Sequence, residues 1–436
     1  MLNKDELKGR VTEAIISGAD EIIRLGETIY QHPELGYKET KTARLMAQKL
    51  GALDLPVETG LALTGVKASL AGKGPGVSVA LLSELDAVVC PGHPQADPAT
   101  GAAHACGHHA QLAAMYGAAR GLVAAGARQY LSGMLHFMAV PAEEYVEIEY
   151  RQKLREEGKI RFLGGKQEML ALGHLDDVDM AMMVHQANLN GDKRALVGGT
   201  SNGFIGKLIR FHGKEAHSGG APHDGVNALN AAMLGVMGVH MLRETFRDQD
   251  SVRVHPIITK GGDLVNVVPA DVRVETYVRG RSLEAIADAS TKVNRALRAG
   301  ADAIGARVDI LELPGYLPRI LHPELDNVFR VNVESLVGRD KVGEAGHGAG
   351  STDMGDLMHV MPAIHPAVGG CSGRAHSEDF GIKDPHLAYV IPAQALAMTA
   401  IDLLWADARL GTELCSEFKP VYSRSQYLRT WEKILE

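Results

Sequence analysis

Apolar residues near the start of the chain recur at helical spacing. Leu7, Val11, Ala14, Ile15, Ile22 and Ile23 fall roughly on one face and predict an amphipathic helix over residues 5–25. His32-Pro33-Glu34-Leu35-Gly36 ends it, and a second helix is predicted from Glu39 to Leu50. The apolar runs Gly65–Leu70 and Val77–Leu82 predict strands. The glycine-rich residues 72–76 between them read as a hairpin turn, because no Gly-Lys-Ser/Thr follows and no helix opens there. An alanine-rich helix pattern covers Gln111–Ala124, and further strands are predicted at Met134–Val140 and Val178–Val184. The charged stretch Tyr145–Lys166 reads as a surface helix with a solvated face.

The rhythm changes near residue 190. Strands are predicted at Gly203–Phe211, Val252–Thr259, Asp271–Arg279 and Arg307–Leu313, with helices at Gly225–Phe246 and Leu283–Ile304. This βαββαβ order is the split unit of a ferredoxin-like domain. The earlier alternation then resumes with a helix at Leu325–Leu336, a glycine-rich loop at Gly346–Ser351, an apolar run at Met358–Val368 and a last helix at Tyr389–Leu410. The predicted organisation is an α/β domain built from residues 1–192 and 318–436, interrupted by a smaller domain over 193–317.

Composition narrows the function. The chain has 436 residues, 45% of them hydrophobic and 22% charged, which suits a globular protein of two domains. A net charge of −8 with no basic run argues against a nucleic-acid partner. No apolar segment is expected to approach the ~20 residues that span a bilayer, and the charged first residues lack the apolar centre of a signal peptide. Four cysteines, Cys90, Cys106, Cys371 and Cys415, do not make a disulfide framework in so long a chain. The expectation is a cytoplasmic protein, where a thiolate ligand survives.

His104-Ala105-Cys106-Gly107-His108-His109 concentrates soft metal ligands where a loop enters a helix. Cys106 and His108 flank one glycine, a spacing that lets both side chains converge. Glu143 and Glu144 end a predicted strand, where one carboxylate can bind an ion while the other serves as a general base. His185 also ends a strand, and His376 lies in a polar loop after another. Each histidine alone is more often structural. The conjunction of Cys106, His108, Glu144, His185 and His376 at strand ends of one domain, with Glu143 beside them, suits metal-activated water. Glu84 and Asp86 end another strand, and read alone they are as readily solvated loop acids.

The order and wording of these segments resemble the aminoacylase/carboxypeptidase superfamily of co-catalytic metallopeptidases. The similarity is strongest to its amidohydrolase branch of indole-acetyl-amino-acid hydrolases and aminobenzoyl-glutamate utilisation proteins. The phrases that carry it are HPELGYKET at 32–40, ELDA at 84–87, HACGHH at 104–109, PAEE at 141–144, His185, AHSGGAPHDGVNAL at 216–229, GGDLVNVVPA at 261–270, GSTDMGD at 350–356 and AHSEDF at 375–380. GSTDMGD points toward the aminobenzoyl-glutamate and dipeptidase side of the branch. The resemblance implies a metallopeptidase catalytic domain with a central mixed sheet flanked by helices, interrupted by a ferredoxin-like lid and dimerisation domain. It implies that Cys106, His108, Glu144, His185 and His376 hold two divalent ions, manganese or zinc, with Glu143 as general base and acid. It further implies that His217 stabilises the oxyanion from the lid, and that Asn266 and Arg279 hold a substrate carboxylate. Arg279 reads equally as a strand-end surface charge. His109 stands where the family often has Asp, and Leu82-Ser83 where an Arg commonly precedes ELDA, so His109 is a candidate for substrate preference.

The function expected is hydrolysis of the amide bond of an N-acyl amino acid or aromatic amino-acid conjugate by a homodimer or higher homo-oligomer, with no membrane partner. One alternative keeps the site and releases ammonia from a small aromatic amine, as His109 suggests. A second is a metal- or ligand-binding protein without catalysis, against which the Glu143-Glu144 pair argues.

Overall fold

The computed structural model describes residues 2–189 and 191–435. They form two compact units. The larger comprises residues 2–189, 191–199, 320–346 and 356–424, and the smaller comprises residues 200–319, 347–355 and 425–435.

The larger unit is built on a six-stranded mixed sheet in the order Val57–Leu61, Gly65–Ala71, Met134–Val140, Ser78–Glu84, Met180–Met182, Ala363–Ile364. Gly65–Ala71 runs antiparallel to both of its neighbours, and the other pairs are parallel. The hairpin predicted around residues 72–76 is therefore absent: Met134–Val140 lies between the two strands that turn connects. A glycine-rich turn between apolar runs looks alike whether its strands pair or are parted. Every residue of Ser78–Glu84 is buried, as expected of a parallel strand covered on both faces.

The helix His108–Ala124 is buried along nearly its whole length. Small residues let its neighbours approach closely. A Cβ at Gly117 would lie 2.9 Å from both Ala393 and Ile22, and one at Gly121 would lie 2.4 Å from Ile15. The helix predicted over residues 5–25 is two helices, Lys4–Ser17 and Ala19–Tyr30, separated at Gly18. An Asn3–Glu6 capping box starts the first. The segment His386–Leu404 corrects another expectation, since by length and composition it could cross a membrane. It is almost wholly buried and packs on His108–Ala124, which makes it a core helix of this unit. It also ends earlier than predicted, and the helices Arg409–Glu417 and Arg424–Leu435 follow.

The charged stretch after Glu144 departs most from expectation. It forms two helices, Ile148–Glu156 and Gly165–Ala171, and buries Arg151, Lys166, Gln167 and Glu168. Charge along a sequence reports exposure only when no distant partner exists, and these side chains have partners.

In the smaller unit an antiparallel sheet runs Arg253–Val254, Asp271–Gly280, Gly203–His212, Arg307–Leu313, with Ile257–Lys260 also on Asp271–Gly280. The helices Ala228–Met241 and Leu283–Ile304 pack on each other where Gly300 meets Gly235; a Cβ at Gly300 would lie 2.3 Å from the Gly235 nitrogen. The chain order is βαββαβ, with the second strand in two pieces.

Candidate active site

The sheet register lines up the carboxyl ends of neighbouring strands. Glu84 pairs with Val140, so the continuations Leu85-Asp86 and Pro141-Ala142-Glu143-Glu144 leave the sheet side by side. Met180–Met182 runs alongside and leads to His185. Gly107, with φ +96°, turns the chain into the helix that begins at His108. The His376 loop is tied on by the bond from the His376 N–H to the Ala105 carbonyl, 2.8 Å.

These connections gather the predicted ligands. Donor atoms of Cys106, His108 and His185 lie within 4.8 Å of one another, and so do those of Cys106, Glu144 and His376. Two clusters that share Cys106 suit two adjacent ions. A third set of the same dimension joins Glu84, His108 and Glu143. Cys106 Sγ stands 3.5 Å from His185 Nε2, and Glu144 Oε1 stands 2.9 Å from His376 Nε2. The Glu144 N–H donates to Asp86 Oδ2 at 2.9 Å, fixing the main chain beside Glu143.

The cluster fits a cation on a direct observation. His108 Nε2 and Glu144 Oε1 are buried yet make no hydrogen bond of good geometry, although charged atoms lie about them. His108 Nδ1 lies 2.8 Å from the Asp86 carbonyl, which accepts a hydrogen bond from the Nδ1–H and leaves the Nε2 lone pair toward the cluster. Burial and Glu144 push the Cys106 thiol up, but His108 and His185 outweigh them and bring it down to about 6. Burial opposes ionisation of Glu144 too, and His376 reverses this, drawing it down to about 2. Burial works against a charged His108, and Glu84 overcomes it, holding the imidazole well above its ordinary range. A divalent ion in place of such protons meets the same thiolate and carboxylates.

The other predicted residues are placed differently. His217 is exposed on the smaller unit, and its Nδ1 accepts the N–H groups of Gly219 and Gly220 at 3.2 and 3.0 Å. That assigns the proton to Nε2, which faces away as a donor. The Asn266 carbonyl accepts the Ser218 N–H at 3.0 Å, so Asn266 lies beside His217. Arg279 is half-buried over the Phe204 and Tyr277 rings and donates to Ser351 Oγ at 2.7 Å. It is therefore more than a strand-end charge. His109 is fully buried, its ring centroid 4.7 Å from that of Tyr30 and 5.9 Å from that of Tyr389. One helical residue beyond His108, it turns into the core, a position that corrects the expectation of direct substrate contact.

Sequence reasoning left four contributors unassigned. Glu84 and Asp86 are buried rather than solvated. Lys166 Nζ contacts Glu84 Oε1 at 2.5 Å. Glu39, also buried, accepts the Ala142 N–H at 2.8 Å and the Thr64 hydroxyl at 2.7 Å, steadying the turn that leads to Glu143. Ala142 itself has φ +54°.

A family profile for a peptidase dimerisation domain matches residues 200–304. The chain is 30% identical to an Xaa-Arg dipeptidase of Mus musculus, over 97% of this chain and 95% of that one. It is 26% identical to an N-acyl-L-amino acid amidohydrolase of Geobacillus stearothermophilus, over 74% of this chain and 83% of the relative. The fold matches the crystal structure of an aminobenzoyl-glutamate utilization protein from Klebsiella pneumoniae with a TM-score of 0.68 and 20% identity, over 91% of this chain and 99% of that one.

Proposed function

Since the chain belongs to the M20 family of peptidases and amidohydrolases, enzymes that hydrolyse amide bonds, we propose that it cleaves the amide bond joining a small acyl or aminoacyl group to an amino acid. Both dipeptides and N-acyl amino acids present that bond, and the names of the two relatives cover both. The observation that carries the proposal is the convergence of Cys106, His108, His185, Glu144 and His376 at strand ends, with Glu143 at their edge.

Two divalent ions held by those five residues would supply an activated water and polarise the scissile carbonyl. Glu143 takes the proton of the attacking water and returns it to the departing amine. His217, carrying its proton on Nε2, donates to the carbonyl oxygen as negative charge develops. Asn266 and Arg279 are proposed to hold the carboxylate on the leaving side, Arg279 being positioned by its aromatic cradle. Homodimerisation is proposed through the smaller unit, where Met237, Met241, Ile257 and Val265 are exposed within or near the matched dimerisation domain.

The test is a panel of Xaa-Arg dipeptides, N-acyl amino acids and aminobenzoyl-glutamate, assayed with added manganese or zinc, with amine and ammonia both quantified. Release of free amino acid supports the proposal. Ammonia without a new amine and acid points to the aminohydrolase alternative, to which the buried His109 lends no support. Ion uptake with no product across the panel points to a binding protein.

A further inference from the structure

Lys166 is fully buried, and its ammonium lies 2.5 Å from Glu84 Oε1. The other carboxylate oxygen of Glu84 accepts from Gln111 Nε2 at 2.9 Å and stands 3.0 Å from His108 Nε2. Gln111 clamps the same residue a second time, its Oε1 accepting the Glu84 N–H at 3.1 Å. A charged side chain from residue 166 thus ends one residue away from a donor of the ion cluster.

Burying such a pair is a weak source of stability, because desolvating two charges offsets most of their attraction; apolar residues of similar size stabilise a core as well or better. The pair's position suggests what it is for. The helix that delivers Lys166 begins at Gly165, whose N–H donates to the Ala142 carbonyl at 3.1 Å. A Cβ at Gly165 would lie 1.7 Å from the Pro141 carbonyl oxygen, so the helix start presses on the turn leading into Glu143 and Glu144. One helix start therefore fixes both Glu84 and the two carboxylates of the neighbouring strand end.

We propose that Lys166 is a positioning residue of the ion cluster: it anchors Glu84 so that the other carboxylate oxygen, the one Gln111 holds, faces the same point as His108 Nε2, and through Glu84 it sets the ion affinity there. This inference rests on reading the cluster as a metal centre. No part of it requires Lys166 to touch substrate.

The experiment compares the whole wild-type protein with Lys166→Met, Glu84→Gln and the double variant. Zinc and manganese affinities are measured by competition with a chromophoric chelator, the visible spectrum is recorded with cobalt bound, and stability is measured by urea unfolding. Loss of a residue that orients a ligand typically lowers ion affinity about 10–100-fold, and that loss is expected in each single variant. In the double variant the loss is no larger than in either single one, the cobalt spectrum stays altered, and stability recovers relative to Lys166→Met because no unpaired charge is left buried. A double variant that binds ions with wild-type affinity and spectrum overturns the inference and reduces the pair to a structural element. If Lys166→Met does not fold, the double variant and Glu84→Gln still decide the question. A wild-type protein that takes up no ion refutes instead the reading of the site on which the inference rests.

Discussion

Glu39 offers a sharp test of how the site is supported. Its carboxyl is fully buried and bridges Thr64 to the main chain at Ala142, one residue before Glu143. Burial, followed by the charge of Asp86, raises it from 4.5 to about 7, against the bonds from Thr64 and Ala142. Between those two values the folded protein holds a proton that the unfolded chain has released. Stability from this group is therefore complete below pH 4.5 and is lost as pH rises to about 7. The difference between 4.5 and about 7, at 1.36 kcal/mol per unit, makes the loss on the order of 3 kcal/mol. Glu39→Gln keeps the shape, accepts the Ala142 N–H and donates to Thr64, but does not titrate. Urea unfolding of both proteins across pH 4.5–8, with divalent ions chelated, isolates the effect. Wild type should lose roughly 3 kcal/mol relative to the variant across that range, with no further divergence above about pH 7.5. A difference between the two that is constant with pH refutes the assignment of a buried, protonated Glu39.

Other consequences follow from the same geometry. His217→Ala should lower kcat by about 10²–10³-fold, the usual loss of an oxyanion donor, while the ion content by elemental analysis stays unchanged. Gly165→Ala forces a Cβ against the Pro141 carbonyl and should cost about 1–3 kcal/mol in urea unfolding, with a fall in kcat because that turn carries Glu143. Cys106 should be the first thiol to be alkylated in chelated protein, with a rate that rises through about pH 6, and bound zinc should protect it; peptide mapping after iodoacetamide checks this, and preferential labelling of Cys371, which burial pushes up to about 12, contradicts it.

Much of the candidate site is legible in the sequence because the Cys, His and Glu side chains that the fold clusters lie where strands end, and strand ends can be read from hydrophobic runs. Glu144 and His185 need only that rule; Cys106 and His108 need the ligand-rich loop that enters a helix, and His376 the polar loop after a strand. Glu84 and Asp86 were harder. An acid just past an apolar run looks the same whether it enters solvent or faces a cluster, and only the register with Met134–Val140 separates the two. Lys166 reads in sequence as part of a solvated face because its partner is 82 positions away in the chain. The two strands around residues 72–76 looked like a hairpin for the same kind of reason: the strand that parts them arrives more than fifty residues later. His109 misled by adjacency, since one residue along a helix turns a side chain by about 100° and carries it from the site into the core. The smaller unit was read more fully, because its strand and helix periods are regular and its sheet pairs elements in a familiar order.

An ion cluster and a neighbouring carboxylate are proposed to divide the work of amide hydrolysis. Glu143 lies near enough to His108, 3.9 Å from Nε2, to be either a base or an additional ligand. Turnover of the best substrate in the panel, measured together with ion content in Glu143→Gln, separates the two roles. A general-base role for Glu143 predicts a fall in kcat of about 10²–10⁴-fold, the range for a lost general base, with wild-type ion content. Turnover close to wild type, or a loss of activity matched by a loss of bound ion, contradicts it.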